Sequence, residues 1–183
     1  MTSLQPIQDE LNERAGRLSP AAQRVLSVAA VQRSLPLLRQ SAERDEVRWP
    51  VADLAPEGLA VAWAVCAGAP AGSDVADRLR AYRPSDPGDP ILFDDRSVLA
   101  FVRDLPDLID EPSLYLVGLA ELLFTRNQSD FPDRPYSSDE LLELAAQAYE
   151  IELLEREAAT PELIERIREH ATAVGEALAS SGH

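Results

Sequence analysis

Lysine is absent from this chain of 183 residues, so all seventeen basic residues are arginine. They are outnumbered by 32 Asp plus Glu, and the net charge is −15. A surface of that sign repels nucleic acid and anionic membrane and attracts a basic partner. Solubility alone is the competing explanation for the acidity. Cysteine is nearly absent. Cys66 stands alone, which excludes an intrachain disulfide framework and a thiolate metal cluster. Its neighbours Ala64, Val65 and Ala67 mark it as a small core residue rather than a nucleophile. Aromatic residues are few, at 5%. Long apolar runs are missing as well. The longest uncharged stretch, Gly58 to Ser73, is interrupted by Gly68, Pro70 and Gly72, too short and too broken for a membrane span. Met1 to Arg14 carries Asp9, Glu10 and Glu13 without an apolar segment, unlike a secretory signal. These absences together predict a cytoplasmic protein with no membrane and no nucleic-acid partner.

What is present is helical. Hydrophobic residues make up 45%, and alanine and leucine, both good helix formers, supply much of that share. The charge is uneven. Residues 1–50 hold seven Arg and six acids, a net of +1, while residues 51–183 hold ten Arg and 26 acids, a net of −16. The stretch Pro20 to Arg44 has no acid before Glu43. Val25, Val28, Ala29, Val31, Leu35 and Leu38 cover one broad arc, while Leu26, Ala30 and Leu37 lie nearly opposite. A helix apolar on most sides is packed on several sides. This predicts a central helix, opened by Ser19 and Pro20. Pro36 should kink it or break it in two, because proline removes one backbone bond and crowds the carbonyl of Gln32.

Helices are expected on either side. One covers residues 4–18, on the spacing of Leu4, Ile7, Leu11, Ala15 and Leu18. Another opens at Ala55-Pro56 and runs through Ala67, with Leu59, Ala62, Trp63 and Cys66 on one face and Gly68 as its stop. Ser73 caps a short helix with Val75, Leu79 and Tyr82. Arg83 to Pro90 is the best loop, a connection between two helical halves. Asp94 or Asp95 caps a helix with Val98, Leu99 and Val102. Asp104 to Glu111 reads as an acidic linker before a helix from Pro112 to about Thr125, and Arg126 to Ser137 as a second loop. Ser137 and Glu140 make a capping box, followed by a helix to about Ala158 whose core face is Leu141, Leu142, Ala145, Ala148 and Tyr149. Thr160-Pro161 opens the last helix, with Leu163, Ile164, Ile167, Ala171, Val174 and Leu178 as its stripe. No convincing alternating strand appears. The sequence therefore predicts an all-α, single-domain bundle spanning 1–183, with about seven or eight helices around the Pro-kinked central one.

Several constellations invite chemistry. Glu140/Glu143, Glu152/Glu155 and Glu162/Glu165 repeat Glu-x-x-Glu, a spacing that puts two carboxylates on one helical face. All-helical nucleotide pyrophosphohydrolases hold Mg²⁺ with such pairs, so a Mg²⁺-dependent hydrolase is the competing function class. Against it, Glu140 and Glu143 lie opposite the Leu141–Ala145–Ala148 stripe and are expected to face water. Glu152 falls nearer the apolar arc. Asp86, Asp89, Asp94 and Asp95 lack the alternation of a calcium loop. His170 and His183 fit no zinc or di-iron spacing, and no Gly-x-Ser-x-Gly elbow or phosphate loop occurs. No catalytic, metal-ligating or cofactor-binding residue is assigned, and no cofactor is expected. Phe93, Phe131 and Tyr136, set among Asp86, Asp89, Asp107, Asp110 and Glu111, form the candidate surface for a basic protein partner.

Gln32-Arg33-Ser34-Leu35-Pro36, followed by Leu59-Ala60-Val61-Ala62-Trp63, resembles the YjaG-like family of small helical bacterial proteins, which has a Glu-Arg-x-x-Pro helix and then an aliphatic stretch ending in Trp. Arg33, Pro36 and Trp63 match, while Gln32 stands where the family has an acid. The stretch Leu114 to Phe124 is similar in pattern to a later helix of that family. The resemblance covers the first third of the chain. It implies an all-α fold and structural roles for Arg33, Pro36 and Trp63, and it carries no activity. Arg33 is expected to be buried and paired with carboxylates of later helices, because an unpaired buried arginine is costly. The functional expectation is a non-enzymatic acidic protein-binding module, in its sharpest form an immunity-type inhibitor of a basic bacterial toxin. A dimerising structural protein, with Ile151 and Leu154 in a homodimer interface, is the third class.

Overall fold

The computed structural model describes residues 5–44, 48–82, 100–111 and 137–181. Among them are seven α-helices and one π-helical turn, and no strand. They are α1 (Gln5–Arg17), α2 (Pro20–Arg44), α3 (Trp49–Cys66), α4 (Asp74–Arg80), the π-helical turn Ala100–Asp104, α5 (Leu105–Asp110), α6 (Ser138–Arg156) and α7 (Pro161–Ser181). The fold is all-α. The loop expected at Arg83 to Pro90, the helix expected from Pro112 and most of the second loop lie outside the described residues.

α2 packs against α3, α5, α6, α7 and the π turn, with α7 and α3 as its main neighbours. Val25, Val28, Ala29, Val31 and Leu38 are fully buried, and Leu26 and Ala30 on the other side are also in the core. That two-sided burial follows from the nearly all-round apolar sequence. One helix runs through Pro36 to Arg44 with no break into two. Its start has the expected form: Ala22 N donates to Ser19 Oγ at 3.3 Å.

Three later helix starts also follow their caps. Ser73 Oγ accepts from Val75 N, Thr160 Oγ1 accepts from Leu163 N, and Ser137 with Glu140 forms the full capping box. The α7 stripe, Leu163 through Leu178, is buried at every expected position.

Three expectations are corrected. α3 begins at Trp49 rather than at Ala55, and Pro56 lies inside it. Pro50 sits in the first turn, where a missing N–H costs nothing. The sequence signal at Ala55-Pro56 is a second proline, in the helix interior, where it removes one backbone hydrogen bond without ending the helix. The acidic linker after Asp104 is instead helix α5, because Leu105, Leu108 and Ile109 recur at helical spacing and are all fully buried.

The third correction concerns the rotation of α6. Leu141 and Tyr149, expected on its core face, are 48% and 45% exposed, and Ala145 is exposed too. Glu140 and Glu143, expected to face water, are buried. Ile151 and Leu154, expected at an interface, are core residues. Apolar periodicity misreads this helix because its buried face carries charges that a partner helix neutralises.

Candidate functional site

That partner is Arg33. Its side chain is fully buried on α2, and the carboxylates of Glu143 and Glu150 on α6 are equally buried. Arg33 Nε donates to Glu143 Oε2 and Nη2 to Glu143 Oε1, both at 2.7 Å. Nη1 donates to Glu150 Oε1 at 2.6 Å and to Oε2 at 2.7 Å. Glu143 and Glu150 are seven residues apart, two helical turns, so both carboxylates emerge on one face of α6. Gln147, between them, donates Nε2 to Glu143 Oε1 at 2.9 Å. His170 on α7 closes the cluster, with Nδ1 3.1 Å from Glu150 Oε1. A carboxylate oxygen only accepts, so Nδ1 carries the hydrogen. Tyr149 lies beside the imidazole, with ring centroids 4.6 Å apart.

Burial alone would push the Arg33 guanidinium down, but Glu143 and Glu150 outweigh it and hold it above its usual range. The cluster is thus an ion network between three helices, with one cation shared by two anions. Its backbone is seated as closely as its side chain. A Cβ on Gly175 of α7 would lie 2.7 Å from the Arg33 carbonyl oxygen and 3.0 Å from its Cα. Glycine is what lets α7 approach α2 there. One residue before Arg33, Gln32 Oε1 accepts from Trp63 Nε1 at 3.1 Å, tying α3 to the same segment. Gln32, Arg33, Trp63 and Gly175 therefore belong to one packed junction.

The Glu-x-x-Glu pairs do not assemble into a cation site among the described residues. Glu143 faces Arg33, and Glu140 Oε2 accepts from the Ser137 backbone N–H in the capping box. Glu155 faces Arg14 on α1, and Glu152 pairs with Arg156. Glu165 pairs with Arg168 at 3.5 Å, and Glu162 is exposed.

Of the candidate partner surface, Asp86, Asp89, Phe93, Phe131 and Tyr136 lie outside the described residues. Asp107 and Asp110 meet Arg80 of α4, the first at 3.4 Å. Burial lowers the Arg80 pKa, and the hydrogen bonds it donates to Asp110 and Asp107, with their charge, raise it to a net increase. Glu111 is exposed at the end of α5. Cys66 is partly buried at the end of α3, and burial pushes its thiol up to about 12 against a smaller opposing effect of Arg24.

Glu150 and Gln147 are not singled out by the sequence, and His170 is weighed there only as a metal ligand. The signal available is the polar heptad of α6: Glu140, Glu143, Gln147 and Glu150 recur at three and four residues, the spacing of a single face. Compared with protein-family models, curated proteins and solved structures, the chain matches none.

Proposed function

We propose that the chain is a non-enzymatic acidic module that binds a basic protein, in its sharpest form an immunity-type inhibitor of a basic bacterial toxin. The observation that carries this reading is the division of the carboxylates. The fully buried ones, Glu143 and Glu150, are consumed by Arg33, and the buried Asp104 and Glu140 are held by Arg103 and by the Ser137 cap. Asp53, Glu111, Glu162, Glu169 and Glu176 are exposed, and no ion pair holds them among the described residues. With a net charge of −15, that surplus gives a field suited to steering a basic partner and to discriminating by charge. The same division counts against the Mg²⁺-dependent reading, since a guanidinium already neutralises the most buried of the paired glutamates. Immobilised protein is to be challenged with lysate of its source at low and at high salt. The reading expects a basic protein retained at low salt and released at high salt, with retention weakened when surface acids are replaced by Gln. Retention of no basic protein, or retention indifferent to salt, sinks it.

A further inference from the structure

We propose that the cleft between the α1–α2 turn and the α6–α7 connection binds a small carboxylate with a short apolar body. The cleft has a volume of about 290 Å³, near the lower end of small-molecule sites, about 300 Å³. Leu18, Ala22, Leu154 and Ala159 give it an apolar lining. Four charged side chains line it as well, and their pairings decide the ligand's sign. Glu155 is held by Arg14, with Nε at 3.0 Å and Nη2 at 2.7 Å. Glu157 is held by Arg166 Nη1 at 3.2 and 3.4 Å.

Arg17 differs from both. Its contact among the described residues is Glu13, one turn back on the same helix, at 3.6 Å, and these side chains are 66% and 72% exposed. Such a pair is weak and readily exchanged. The cleft's acids are therefore occupied while one of its two cations is available. Arg17 is close enough to Glu155 to help hold that carboxyl below its usual range, though less than the Arg14 hydrogen bond does. A ligand carboxylate offers Arg17 a planar two-pronged partner. Its apolar body covers the partly exposed Leu18 and Ala159 and releases water from them. In a chain this acidic, anion binding runs against the overall field, so it depends on the local arrangement. The proposal is independent of the protein-binding reading.

Methyl-detected NMR of the full chain, titrated with 4-methylpentanoate, tests it. The neutral 4-methylpentanamide is the matched ligand, and Arg17→Gln the matched variant. Saturable shifts are expected at Ala22, Leu154 and Ala159 with the acid, and about tenfold weaker binding for the amide and for the variant, the loss of one charge-assisted contact. Arg17 is exposed, so an unchanged melting temperature shows that the variant folds. Shifts that do not saturate, that appear equally with the amide or with chloride, or that persist in Arg17→Gln overturn the proposal.

Discussion

Arg33 and Glu143 meet as a two-pronged pair, Nε to Oε2 and Nη2 to Oε1 at 2.7 Å, with neither side chain exposed to solvent. The pair joins α2 to α6 across 110 residues of sequence. It fixes the face that α6 turns inward, and so decides which carboxylates reach solvent.

Breaking the network from one side leaves buried charge without a partner. Arg33→Met is expected to destabilise the fold by about 3–5 kcal/mol, measured by urea unfolding. Arg33→Lys should recover little, because an ammonium cannot make the two-pronged contacts. Replacing all three groups, as Arg33→Met with Glu143→Leu and Glu150→Leu, should return much of the loss, since well-packed apolar groups often equal a buried ion network. A triple variant no more stable than Arg33→Met alone would show that the ions are not the reason.

The close approach of α7 makes a separate prediction. Gly175→Ala forces a Cβ against the Arg33 backbone, and backbone cannot swing aside, so about 1–3 kcal/mol of overpacking cost is expected. At Gly16 in α1, nothing lies within 4 Å of the place a methyl would occupy, and Gly16→Ala should instead stabilise by about 0.5–1 kcal/mol. Thermal melts of the two variants must move in opposite directions.

How much of this was legible in the sequence follows from what periodicity can see. Helix starts at Ser19-Pro20, Ser137 and Thr160-Pro161 were readable, because capping is local chemistry. The α7 stripe was readable because its buried face is purely apolar. The rotation of α6 was not. Its inward face includes Glu143 and Glu150, and their burial depends on an arginine more than a hundred residues away. The need for such carboxylates was legible from the Arg33 end, in an apolar helix poor in acids, but not which glutamates supply them. α5 was missed because it is only six residues long and acids interleave and flank it, at Asp104, Asp107, Asp110 and Glu111, around three large buried apolar residues.

Cys66 should behave as an inert core thiol. With burial holding it up to about 12, native protein at pH 8 should react with a thiol-labelling reagent far more slowly than unfolded protein, whose thiol titrates near 8.5. The thiolate is disfavoured in the fold, so this site favours folding below about pH 8.5 and loses that contribution as the pH rises toward 12. Labelling in native buffer at the unfolded rate would contradict the placement.

Glu155 gives an acid-side prediction of the opposite sense. Its hydrogen bond with Arg14 holds the carboxyl below its usual range. A carboxylate lowered in the fold adds stability above its unfolded value, about 4.3, and loses it as the pH falls through the folded value. Wild type should therefore exceed Glu155→Gln in stability near neutrality, and the two should converge in acid. High salt should narrow the gap, since both side chains are partly exposed.

The most direct test of the central claim is a double-mutant cycle between Arg33 and Glu143 in urea unfolding, using Arg33→Met, Glu143→Leu and the pair. The claim is that these residues act as one structural unit rather than as parts of a reactive site. It predicts a coupling of about 2–3 kcal/mol, the upper range for residues in direct contact. Additivity within about 0.5 kcal/mol, the behaviour of independent sites, would contradict it.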